Sequence, residues 1–83
     1  MAGNIMNRQR RKELERIYDV LQDCVSDLEC VREEEQEAFD NLPESLQYSE
    51  KGELMEECVD NIDSVITDLD NVCSDLEEIF GNQ

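Results

Sequence analysis

Apolar residues recur along this chain at the three-and-four spacing of a helix stripe, in two separate runs. With a heptad lettered from Leu14, positions a hold Leu14, Leu21 and Leu28, positions d hold Ile17, Cys24, Val31 and Ala38, and positions e hold Tyr18, Val25 and Phe39. A second register, lettered from Met55, puts Met55, Ile62, Leu69 and Leu76 at a. It puts Cys58, Val65, Val72 and Ile79 at d, and Val59, Ile66, Cys73 and Phe80 at e. Each run therefore predicts an amphipathic helix with one apolar face. The expected order is a leader over 1–7, a helix over about 8–40, a hinge over about 41–52, a second helix over about 53–80 and a tail at 81–83.

The hinge is predicted by the only proline, Pro43, amid Asn41, Ser45, Ser49 and Gly52. Asn41 is placed to cap a short turn with Pro43 in its first positions, and Ser49 to cap the second long helix. Gly52, within the first turn of that helix, argues against a clean start there. Gly81 follows the last seam residue, Phe80, where a terminating glycine commonly stands.

A lone pair of helices covers about two apolar positions per heptad, and each helix here offers three. The expected fold is thus all-α: an antiparallel two-helix hairpin that pairs with a second copy into a four-helix bundle. The residues expected to form the core and dimer seam are Leu14, Ile17, Leu21, Leu28, Val31, Ile62, Val65, Leu69, Val72, Leu76 and Ile79. Opposed helix directions set Leu14 near Ile79, Leu21 near Val72 and Leu28 near Val65. Glu35, a carboxylate at an a position, then falls near Cys58 and predicts an open or solvated end beside the hinge.

Composition narrows the class. A chain of 83 residues with 36% charged residues, no tryptophan and three glycines suits one helical domain. No apolar run reaches the ~20 residues of a membrane span, and the start lacks a signal peptide, so a cytoplasmic protein with no membrane contact is expected. Met6 reads as a second possible start. Cys24, Cys30, Cys58 and Cys73 show no CxxC spacing and there is no histidine, which predicts reduced thiols and no metal site. Their heptad positions predict Cys24, Cys58 and Cys73 as small core residues and Cys30 as the exposed thiol.

The same inventory disfavours catalysis. No histidine, no glycine-rich phosphate loop and no activated serine is present, so neither an enzyme nor a cofactor is expected. Asp60-Asn61-Ile62-Asp63 and Asp68-Leu69-Asp70-Asn71 lack the central glycine of a calcium loop and read as helix surface. Ser26-Asp27-Leu28-Glu29 recurs as Ser74-Asp75-Leu76-Glu77, a repeat that shared binary patterning explains as well as duplication does.

Charge is the informative feature. The formal net charge is −16, with 23 acidic against seven basic residues. Five of those cations, Arg8, Arg10, Arg11, Lys12 and Arg16, lie in the first 16 residues; only Arg32 and Lys51 follow. The carboxylates fall mostly at b, c, f and g, which predicts an anionic exterior with Glu33, Glu34, Glu37, Glu56, Glu57, Asp60 and Asp63 as an acidic partner-binding face. Over helices ~40 Å long this is roughly one charge per 2 Å, near the ~1.7 Å of duplex DNA. A surface of that kind suits a basic protein and rules out direct nucleic-acid binding through the same face. The basic segment is expected to grip the acidic surface of the paired subunit. The competing explanation of the acidity is solubility alone.

Glu33-Glu34-Glu35-Gln36-Glu37-Ala38-Phe39-Asp40-Asn41-Leu42-Pro43-Glu44-Ser45-Leu46-Gln47, continuing through Ser49-Glu50-Lys51-Gly52-Glu53-Leu54-Met55-Glu56, resembles a group of short acidic helical-hairpin proteins of phages and integrative elements of Gram-positive gut bacteria. The resemblance covers most of the chain, and its specific part is Phe39 to Gln47. It implies a mobile-element setting, in which small acidic proteins often inhibit host defence nucleases, as anti-CRISPR and anti-restriction proteins do. The central motif is richer than a turn requires, so Phe39, Asn41, Leu42, Pro43, Glu44, Leu46 and Tyr48 are candidate partner contacts. The alternative expectation is a structural or adaptor homodimer docking a protein through this loop, or a loop that merely closes the end of the core.

Overall fold

The computed structural model describes residues 7–81. The expected tail beyond Gly81, the possible start at Met6 and all of the expected leader except Asn7 lie outside the described residues. Three helices account for nearly everything described: α1 (Arg8–Asp40), α2 (Glu44–Gln47) and α3 (Glu50–Gly81), with no strand among the described residues.

Each boundary has a local cause. Asn7 begins α1 because its side-chain oxygen accepts the Arg10 N–H at 2.9 Å, satisfying one of the donors a helix start leaves over. At the other end, the Asn41 N–H donates to the Glu37 carbonyl at 3.0 Å and the Leu42 N–H to Phe39 at 3.0 Å. Pro43 then opens the single turn of α2. The Gln47 side-chain amide turns back to the carbonyls of Phe39 (3.3 Å), Asp40 (3.4 Å) and Leu42 (3.2 Å), supplying donors to the end of α1. Ser49 caps α3, its hydroxyl accepting the Gly52 N–H at 3.4 Å, so the helix starts three residues before the expected 53. It also continues through Gly81, which has no left-handed backbone and so does not terminate it in the expected way.

Gly52 is buried beneath α2. A Cβ there would lie 2.1 Å from the Gln47 carbonyl oxygen and 2.7 Å from that of Leu46. The glycine that weakens the sequence signal for a helix start is thus what lets the turn rest on α3.

The long helices pack side by side. Tyr18, early in α1, meets Phe80, late in α3, edge to face with ring centroids 5.4 Å apart. Midway, Arg32 of α1 bonds Asp63 of α3. The fold measures 64 × 17 × 12 Å, one helix layer thick.

Burial within one chain divides the residues expected for core and dimer seam. Val25, Val59 and Cys73 are the buried apolar side chains, all at e positions, and the a positions beside them are half-buried. Most d positions face away: Val31, Val65, Val72 and Ile79 keep 44–49% of their surface exposed, and Cys24, Ala38 and Cys58 are exposed too. Within one chain the most buried part of the seam therefore runs through a and e. At about 100° per residue, a and e lie about 40° apart and a and d about 60°. The rings of Tyr18, Phe39 and Phe80, all at e, fill the narrower sector.

Candidate protein-binding surfaces

With a and e on the seam, helix geometry assigns the two broad sides of the layer. Positions d and b lie on opposite sides of the seam direction, and in helices running in opposite senses the two d rows come to the same side. One side thus carries Cys24, Val31, Cys58, Val65 and Val72. The other carries the b and f residues Glu15, Asp19, Glu29, Glu33, Glu53, Glu56, Asp60, Asp63, Asp70 and Glu77. The side of the d row also carries the g carboxylates Glu13, Asp27, Glu34, Asp68 and Asp75 along its margins, so the layer is more densely anionic on the b and f side and apolar along the middle of the other.

Of the expected acidic partner residues, Glu33, Glu56, Asp60 and Asp63 fall on the anionic side. Glu37 and Glu57 occupy its outer edges at c, and Glu34, at g, borders the apolar side. All are exposed except Asp63, which is half-buried. Few cations neutralise them. Among the described residues the ion pairs are Arg16–Glu13 at 2.7 Å, Arg32–Glu33 at 3.0 Å and Arg32–Asp63.

Arg32 is the residue that sequence reasoning passed over. It occupies an e position in a seam otherwise made of apolar side chains, and that position was the available signal. Its hydrogen bond to Asp63 raises the guanidinium pKa beyond its already high ordinary value, with Glu33 adding to the effect. Arg16 likewise holds the Glu13 carboxyl below its usual range, chiefly through their hydrogen bond. At the aromatic end, burial pushes the Tyr18 phenol up, and the nearby Glu77, Cys73 and Asp19 push it in the same direction.

The loop residues divide. Phe39 and Leu42 are half-buried, whereas Asn41, Pro43, Glu44 and Leu46 are exposed and Tyr48 keeps 79% of its surface. Part of the motif has a local role that the sequence did not disclose, because Gln47 binds the end of α1 and Gly52 lies under Gln47. Beside the loop, Leu54, Met55 and Cys58 line an open groove of about 460 Å³, with Glu35, Glu50 and Lys51 at its margin. Glu35 and Cys58 thus share one cleft at the hinge end.

Cysteine placement also needs correction. Cys73 is buried, but Cys24 and Cys58 are exposed together with Cys30, because the d positions lie off the seam. All four thiols are free. Among the described residues no group of side chains is arranged to hold a metal ion, and no helix is long and apolar enough to cross a membrane.

No protein-family model, curated protein or solved structure matches this chain.

Proposed function

We propose that the helix pair is an antiparallel hairpin that acts without catalysis, as a protein-binding inhibitor whose anionic side occupies a basic nucleic-acid-binding surface of another protein. The observation that carries this reading is the uneven carboxylate field, in which 11 carboxylates fall at b and f against five at g on the side of the apolar row. Glu33, Glu56, Asp60, Asp63, Asp70 and Glu77 share a broad side on which Arg32 is the cation paired with them. Exposed charges of one sign steer a basic partner and gain from counterion release when they meet it. Excess acidity for solubility alone requires no such bias toward one side, because carboxylates distributed evenly round the rod serve that purpose equally well.

The partner class that fits is a basic host nuclease of the kind that defends bacterial cells against mobile DNA, as the sequence resemblance implies. The test is competition. A basic nuclease loaded with labelled duplex is titrated with this chain, and displacement is followed at low and high salt. Displacement that weakens steeply with salt, and that fails for the Glu56→Gln, Glu57→Gln, Asp60→Asn, Asp63→Asn variant, is the expected outcome. Undiminished binding by that variant would refute the anionic reading and favour docking through Leu46 and Tyr48.

A further inference from the structure

One broad side of the layer remains apolar at Val31, Val65 and Val72, beyond what the two helices of one chain cover. We propose that a second copy of this chain covers it, docked face to face and end for end, so that the turn of each copy lies over the open end of the other.

Three features argue for a second copy over any other occupant. The apolar row runs along both helices, over about 21 Å of α1 and about 32 Å of α3, as an isologous partner requires. The whole side of the layer, 64 by 17 Å, has room for the ~800 Å² per partner of a stable interface, with the apolar row at its middle. The opposite side is the more acidic one, so face-to-face pairing on the apolar row points most carboxylates outward and leaves those at g on the edges of the interface.

Charge then selects the orientation. Residues 34–53 at the turn carry seven carboxylates against Lys51 alone. At the open end residues 8–16 carry five cations against Glu13 and Glu15. Docking turn on turn would press two strongly negative ends together. Docking end for end sets each negative turn against the net positive segment 8–16, with Arg10 of one copy approaching the Glu44 region of the other.

The two orientations place different residues together. End for end, α1 lies on α1 and α3 on α3, which brings Val31 against Cys24 of the second copy and Val65 against Val72 of the second copy. Turn on turn, α1 lies on α3, and Cys24 meets Val72 of the second copy instead.

Sedimentation of the wild-type chain at about 100 µM, alongside its helical circular dichroism, is the first test. Twice the 9.7 kDa chain mass is expected, and a fully helical monomer at that concentration overturns the proposal. Val31→Cys in a Cys30→Ser, Cys58→Ser background should oxidise to a covalent dimer that disappears when Cys24→Ser is added. Within one helix those two thiols are about 10 Å apart and cannot bond to each other. A covalent dimer from Val72→Cys, or none from Val31→Cys, overturns the end-for-end arrangement. Val65→Gln with Val72→Gln should weaken association at least tenfold while leaving Val25, Val59 and Cys73 packed; unchanged association overturns the assignment of this face. None of these measurements uses a basic partner, so failure here and failure of the inhibitor reading are separable.

Discussion

Substituting Gly52 and Gly81 with alanine should move stability in opposite directions, although both glycines belong to the same helix. In a helix interior, Gly→Ala ordinarily stabilises by up to ~1 kcal/mol, since alanine loses less backbone entropy. At Gly52 the new Cβ would meet the Gln47 carbonyl oxygen at 2.1 Å, its carbon at 2.6 Å and the Leu46 oxygen at 2.7 Å, all backbone atoms. No rotamer change relieves such an overlap, so α2 must lift off α3. Overpacking of this kind costs ~1–3 kcal/mol. After the propensity gain is set against it, a net loss of about 1–2 kcal/mol remains, and for a domain of this size ~1 kcal/mol corresponds to about 4–8 °C in Tm. At Gly81 nothing lies within 4 Å of the added Cβ, so only a gain of a few tenths of a kcal/mol is expected. Thermal melts followed at 222 nm, at matched protein concentration because association shifts Tm by mass action, read both variants. A Gly52→Ala protein that melts at or above the wild type would refute the close approach of α2 and α3.

Three further outcomes follow from particular contacts. Gln47→Ala should cost ~1 kcal/mol and accelerate amide exchange near the end of α1, since the carbonyls of Phe39, Asp40 and Leu42 lose their side-chain donor; unchanged exchange there would show the tether to be idle. Arg32→Gln leaves Glu33 and Asp63 without their shared cation, so stability should fall most at low salt and recover as salt is added; a salt-independent effect would assign Arg32 a packing role only. The raised Tyr18 phenol makes the folded state resist ionisation, so its contribution is intact below the ordinary tyrosine value and is lost as pH climbs above it. Urea midpoints between pH 9 and 11 should therefore fall more steeply for wild type than for Tyr18→Phe, and parallel curves would contradict the shift.

The helical class and the two long elements were legible because their stripes are long and nearly uninterrupted. The face each position occupies was not. Lettering by heptads treats a, d and e as one stripe, and which pair forms the seam depends on where the bulky rings sit. Tyr18 against Phe80 draws e inward and leaves Val31, Val65 and Val72 outside. Gly52 was misleading for a related reason: a propensity scale registers its cost in a helix and is blind to a carbonyl lying above it. Gln47 was visible as part of a distinctive motif, but the length of its reach back to α1 is tertiary information. Arg32 shows the reverse case, a charge in an apolar register that the spacing alone exposes once the seam is known to include e.

The structure also changes the electrostatic argument for inhibition. The helix pair extends over 64 Å, beyond the ~40 Å on which the first charge density rested, and the net charge of −16 over that length is about one per 4 Å. Duplex DNA carries one per ~1.7 Å, so a single copy falls well short of it. Two copies docked face to face over the same length carry about one net charge per 2 Å, which approaches the duplex. The end-for-end pair also has an anionic side on each of its outer surfaces, as a duplex presents phosphates all round. Resemblance to nucleic acid would then be a property of the pair, and the apolar row would serve function by doubling charge density. Val65→Gln with Val72→Gln alters no charge, and so separates the two contributions. If that variant, once monomeric, displaces duplex from a basic nuclease as well as the wild type does, charge density along the pair is not what the partner recognises.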